Sequence, residues 1–242
     1  MKKEARDYLI VSLDVPSIDE SMIIVDNLED LVNFYKVGLE LFTRGGPKIV
    51  EKLKKKNKKV FLDLKLHDIP NTVSGAVNAA TAMGVDMLTL HTLGGFEMME
   101  AAQKTVWNQG LEKPIILGVT ILTSLDEAFL KDVLGIEKSL NDEVFDLASI
   151  AKSAGLGGVV ASAGEVSSIK KRCGKDFIVI TPGIRPGGTE TNDQKRFSTP
   201  LEAIVNDSDY LVVGRPIIKS ADMHRATENI IREIENGLQK TA

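Results

Sequence analysis

An α/β fold of the (β/α)8 type, a TIM barrel in one domain over residues 1-242, is predicted by three observations. Eight short runs rich in apolar and β-branched residues recur along the whole chain. Segments with helical apolar spacing lie between most of them, and such alternation gives a parallel sheet with right-handed crossovers. Eight units in 242 residues give about 30 residues each, which suits a closed barrel of roughly 250 residues better than an open doubly wound sheet. No G-x-G-x-x-G follows the first run, so nothing points to a dinucleotide site.

Taken in order, Tyr8 to Val15 reads as the first strand and Ser21 to Leu31 as the helix after it. Phe34 to Leu41 is the second strand, followed by a helix over Lys48 to Lys55. The six lysines between Lys52 and Lys59 close that helix, where cations complement the dipole, and read as a solvated face. Val60 to Leu66 is the third strand, and Pro70 starts a helix that the spacing carries over Thr72 to Met83. Met87 to Leu93, Ile115 to Leu122, Gly158 to Ala163, Phe177 to Ile184 and Tyr210 to Ile217 are strands four to eight. Helical spacing recurs over Phe96 to Asn108, Asp142 to Ala154 and Met223 to Leu238, and Leu122 to Leu140 is long enough for an extra short helix.

The third strand breaks its own pattern. Val60, Leu62, Leu64 and Leu66 are apolar, whereas Asp63 and Lys65 share the opposite face. A strand covered on both sides should be apolar throughout, and an unpaired buried charge costs several kcal/mol or more. These charges therefore need partners or a solvated mouth. A barrel's functional surface lies at the carboxyl ends of its strands, and polar residues collect there: Asp14, Lys36, Asp63, Lys65, His91, Thr123, Ser124, Arg185, Gly214 and Arg215. Lys36, Asp63 and Lys65 come from neighbouring strands with alternating charge, which offsets the cost of each and makes a preorganised polar site.

The run from Gly183 to Thr199 is rich in turn formers and reads as a lid that brings Gln194 near Arg185. Val213-Gly214-Arg215-Pro216 follows on the eighth strand, where glycine admits close backbone approach and arginine can grip an oxyanion in two places. Together these make the phosphate site expected after strands seven and eight.

Composition narrows the partners. Hydrophobic residues make up 43% and charged residues 26%, with a formal net charge of -4, which argues against a nucleic-acid binder. The one cysteine, Cys173, sits in a helical stretch and reads as an inert thiol in a reducing compartment. His67, His91 and His224 show no metal-ligand spacing. No signal peptide and no membrane-length apolar run is seen, which places the protein in the cytoplasm and off the membrane.

At this point the chain resembles the orotidine 5'-phosphate decarboxylase family of the bacterial type. The resemblance rests on Leu13-Asp14, Lys36-Val37-Gly38, the run from Asp63 through Lys65 and Asp68 to Ile69-Pro70-Asn71-Thr72, and Thr123-Ser124. It continues through Gly183-Ile184-Arg185-Pro186 with Asp193-Gln194-Lys195-Arg196, and Val213-Gly214-Arg215-Pro216. It implies decarboxylation of orotidine 5'-monophosphate to UMP, the last step of pyrimidine nucleotide synthesis, with no cofactor and no metal. By position, Lys65 would donate the proton to C6, Asp63 would hold Lys65 beside the departing carboxylate, and Lys36 would bridge Asp63 and a ribose hydroxyl. Asp14 would bind the ribose, and Thr123 and Ser124 the pyrimidine. Arg185, Gln194, Gly214 and Arg215 would hold the phosphate. Asp68, Ile69 and Thr72 would reach into a neighbouring subunit's site, which implies a homodimer.

Two other readings stay open at this level. One is a sugar-phosphate decarboxylase or epimerase on the same barrel, including a magnesium-dependent keto-gulonate phosphate decarboxylase. Lys36 stands against it, since a cation there repels magnesium. The other is a catalytically silent barrel that binds a nucleotide or a protein, against which stands the cost of keeping a buried charge network.

Overall fold

The computed structural model describes residues 3–110, 114–186 and 197–241. Eight parallel strands close on themselves in sequence order: β1 (Leu9–Ser12), β2 (Phe34–Gly38), β3 (Lys59–Leu66), β4 (Met87–His91), β5 (Ile115–Val119), β6 (Gly158–Val160), β7 (Ile178–Thr181) and β8 (Tyr210–Val213). The seam is β1 on β8, with Leu9 opposite Leu211 and Val11 opposite Val213. The predicted barrel is therefore present.

Alternation sorts each strand's side chains to two sides. Ile10, Phe34, Phe61, Met87, Leu117, Ile180 and Val212 form a small cluster inside the barrel, while Val11, Val37, Leu62, Leu88, Ile116, Val159, Val179 and Leu211 face outward into the larger core under the helices. The floor is closed by aromatic packing. Phe34 and Tyr210 meet edge to face at 5.8 Å, and Lys3 lays its ammonium over the rings of Tyr8 and Tyr210 at 3.8 and 3.7 Å. Because the lower half is filled, a ligand can enter only from the carboxyl ends of the strands.

The helices are α1 (Ile18–Asn27), α2 (Leu39–Gly45), α3 (Pro47–Lys55), α4 (Pro70–Ala82), α5 (Gly95–Trp107), α6 (Glu127–Asp132), α7 (Leu140–Ser153), α8 (Val166–Cys173), α9 (Pro200–Val205), α10 (Arg215–Ile218) and α11 (Met223–Thr241). Local chemistry starts them. Ser17, Asp126, Ser139 and Thr199 accept backbone N–H bonds at the starts of α1, α6, α7 and α9, and proline opens α3, α4 and α9. Among the described residues no helix is long and apolar enough to cross a membrane.

Two carboxylates, Asp86 buried and Asp209 half-buried, tie neighbouring strands at their amino ends. Asp86, just before β4, accepts from Val60 N at 2.9 Å and from Lys54 Nζ at 2.9 Å. Asp209, just before β8, accepts from Val179 N at 2.7 Å and from Lys170 Nζ at 2.6 Å. The same device thus recurs four strands apart, each time tying an incoming strand to the one before it.

Several expected strands are too long at their carboxyl ends. β2 stops at Gly38 and Leu39 begins α2; β5 stops at Val119; β8 stops at Val213, so Arg215 opens α10 instead of ending a strand. In each case the apolar run continues into a loop or first helical turn, and composition alone does not mark where the dihedral angles change.

Candidate active site

The strand-end residues line one cavity of about 250 Å³ at the mouth of the barrel. Its lining includes Ser12, Asp14, Lys36, Asp63, Lys65, Thr123, Arg185, Gly214 and Arg215. The opposite wall is apolar, built by Val119, Ile121, Leu122, Val160, Ala161 and Pro182. A charged wall facing an apolar one lowers the local dielectric and strengthens the interactions between the charges.

The charged wall is one continuous array. Ser12 donates to Asp14 Oδ2 at 2.7 Å. Lys36 Nζ lies 3.1 Å from Asp14 Oδ1 and 3.4 Å from Asp63 Oδ2, and Lys65 Nζ lies 2.8 Å from that same Asp63 oxygen. The other oxygen, Oδ1, accepts from Thr89 Oγ1 at 2.9 Å. Burial by itself would push the Asp63 carboxyl up; Lys36, Lys65 and the Lys65 and Thr89 hydrogen bonds overcome it and hold the group below the usual carboxylate value. Asp63 is an anion held between two cations, and the two Lys and two Asp side chains balance in charge.

The sequence places Asp63 and Lys65 on one face, and they share one, but not by regular strand geometry. Lys65 has a left-handed backbone, φ +50°, and pairing of β3 with β4 shifts register between Leu62 and Leu66. A lysine pays steric strain in that region. The irregularity interrupts the ladder between Leu62 and Leu66, where pairing resumes with Leu90, and the Lys65 N–H bonds to Thr89 Oγ1 at 2.9 Å instead.

Other expected site residues distribute differently. Arg185, Gly214 and Arg215 meet at the β7–β8 end of the cavity. The feet of the Gly183 to Thr199 loop are joined, with Arg185 N donating to Ser198 O at 2.9 Å and Ser198 N to Gly183 O at 3.3 Å. Gln194, with Asp193, Lys195 and Arg196, lies outside the described residues. Thr123 lines the cavity, whereas Ser124 is exposed at its rim. Asp68, Ile69 and Thr72 are all exposed on the segment beyond β3 and do not line their own chain's cavity. His91 also stays outside the lining; its ring is 5.7 Å from that of His67, and burial, His67 and Lys65 hold its imidazole below the usual value. Among the described residues no three His, Cys, Asp or Glu side chains stand together as metal ligands would. Ser12 and Thr89 join the site without having been named as site residues from the sequence. Serine and threonine fit a strand without anomaly, so only inward parity, Thr89 with Met87 and His91, could have signalled the second.

Known proteins resemble this chain over nearly its whole length. The Orotidine 5'-phosphate decarboxylase / HUMPS family matches residues 7–230. An orotidine 5'-phosphate decarboxylase of Carboxydothermus hydrogenoformans is 49% identical over 96% of this chain and 98% of its own. One of Moorella thermoacetica is 44% identical over 97% and 95%. Among solved structures, orotidine 5'-phosphate decarboxylase from Lactobacillus acidophilus superposes with a TM-score of 0.83 at 36% identity, covering 93% of this chain and 98% of that one. With identity at this level over nearly the whole length, the chain belongs to the orotidine 5'-phosphate decarboxylase / HUMPS family.

Proposed function

We propose that the chain converts orotidine 5'-monophosphate to UMP with Lys65 as the proton donor. The observation that carries this is the Lys36–Asp63–Lys65 array, in which a buried carboxylate holds two ammonium groups at the mouth of the barrel. In the reaction the bond from C6 to the carboxylate breaks, CO2 leaves, and the electron pair stays on C6 with no adjacent carbonyl to delocalise it. Stabilisation must come from charge already in place. The Lys65 ammonium supplies that charge and then its proton, so C6 gains hydrogen and the neutral amine recovers a proton from water. Asp63 orients Lys65, and Lys36 links Asp63 to Asp14, where the ribose hydroxyls would bind.

Arg185, Gly214 and Arg215 suit the phosphate, and Gln194 would complete that grip. Binding energy gathered at the phosphate would be used at the base, which is how a remote group contributes to kcat. Thr123 and Ser124 would meet the pyrimidine edge.

The reading includes a homodimer with sites completed across the interface. Leu39 (57% exposed), Ile69 (66%), Leu93 (39%) and Phe96 (43%) follow three adjacent strands, β2, β3 and β4, and leave apolar surface beside the cavity mouth. Asp68, Ile69 and Thr72 follow β3 on that same side, exposed and outside the lining of their own cavity.

The direct test is to treat purified protein with chelator, add orotidine 5'-monophosphate, and follow loss of the orotate absorbance. Turnover to UMP without added metal is expected. No turnover, or turnover only after magnesium is restored, would overturn the reading.

A further inference from the structure

The geometry assigns Thr89 as a positioning residue for the decarboxylation, an inference that rests on the function proposed above. Its hydroxyl fixes two things at once: which oxygen Asp63 presents to the lysines, and the left-handed main chain from which Lys65 projects.

Thr89 is fully buried in the middle of β4, below the cavity, and touches none of the groups expected to meet substrate except through Asp63 and Lys65. A threonine hydroxyl has one hydrogen and two lone pairs. The Lys65 N–H, at 2.9 Å, points at a lone pair, so the single hydrogen is directed to Asp63 Oδ1, also at 2.9 Å. With Oδ1 engaged there, Oδ2 is turned toward both Lys65 and Lys36. The carboxylate cannot rotate without losing the hydroxyl bond.

The other half of the link concerns the backbone. Where β3 slips out of register with β4, the Lys65 N–H loses its ladder partner, and its φ of +50° is unfavourable for a lysine. Thr89 Oγ1 is the acceptor that makes the irregularity tolerable. A valine in its place would fill the same volume yet leave the part-buried Lys65 N–H and a buried carboxylate oxygen without this partner, which frees both groups to reorient.

The test compares Thr89→Val with Thr89→Ser, which keeps the hydroxyl. Thr89→Val should lower kcat roughly 10- to 100-fold with KM within about threefold, since what is lost is alignment of groups that act in the transition state. Thr89→Ser should stay within about threefold of the parent. The groups facing Asp63 are Lys36 from β2, Lys65 from its own strand and His91 farther along β4. Removing a hydrogen bond that favours the ionised carboxyl should therefore move the acid limb of kcat/KM upward in Thr89→Val. Amide exchange at Lys65, measured without substrate, should quicken in Thr89→Val and not in Thr89→Ser. Should the valine variant not fold, Thr89→Ala carries the same expectations.

Unchanged kcat in Thr89→Val, an equal loss in Thr89→Ser, or a loss of kcat with acid limb and exchange both unmoved would each overturn the assignment. A parent protein inactive on orotidine 5'-monophosphate would instead sink the functional reading, while the exchange measurement would still decide whether Thr89 holds Lys65.

Discussion

At 8% exposure, Asp63 is too buried to remain an anion without close cations, and Lys36 and Lys65 supply them. Each charge of the array is therefore both a chemical group and the support of its neighbour. Lys65→Ala removes the group that would give C6 its proton and leaves Asp63 with Lys36, so decarboxylation should fall by at least ~10³-fold. Uridylate binding should change less than about tenfold, because Arg185, Gly214, Arg215 and Asp14 are untouched; calorimetric titration beside the absorbance assay checks both, and an active variant would remove the proton-donor role. At this scale the sequence was informative where residue types were out of place. Asp63 and Lys65 stand out in an apolar strand, and their shared face follows from their spacing. The left-handed backbone at Lys65 was not legible, since it arises from a register slip against β4 and nothing in lysine encodes it. Thr89 was invisible for the opposite reason: threonine is an ordinary strand residue.

Among the elements, the helices α1, α3, α4, α5, α7 and α11 were readable from their apolar spacing, and the short α6 from the length of the segment between β5 and α7. The missed helices are short. α2 and α10 are direct continuations of strands, and α9 lay hidden behind a polar loop. Its start was nonetheless written in Thr199-Pro200-Leu201-Glu202, where Thr199 and Glu202 bond reciprocally across the first turn. β6 is the thinnest element, three residues long, and Gly158 lies against the Ile178 carbonyl of β7. A Cβ at Gly158 would collide with that backbone. Gly158→Ala should therefore destabilise the protein by about 1–3 kcal/mol, the range for overpacking a close-fitting site. A denaturation midpoint equal to the parent's would show that β6 and β7 can part without cost. The cavity's apolar wall includes Val160 of β6 and Pro182 just beyond β7, so the variant should also raise KM.

For the whole molecule, the proposed homodimer makes a quantitative prediction. If Asp68 serves the partner's cavity and Lys65 its own, Lys65→Ala and Asp68→Ala chains mixed and reassociated form mixed dimers in which one cavity has both groups intact. Random reassociation should restore about one quarter of the parent activity, as half the dimers regain one of two sites. Absence of recovery, with exchange of subunits verified, would place Asp68 outside the neighbour's site. The closed sheet itself was legible from eight alternating units, whereas the seal at its floor was not, because it brings Lys3 onto Tyr8 and Tyr210 from opposite ends of the chain. The seam between β1 and β8 has a further consequence for how the protein is made. On the ribosome, Leu9–Ser12 emerges about 200 residues ahead of Tyr210–Val213, and at ~5–20 residues per second that interval is roughly 10–40 s. Throughout it one margin of the nascent sheet has no neighbour to bond with. Premature association between growing polypeptides is thus most threatening at the first strand, and shielding by a chaperone would matter until translation nears its end.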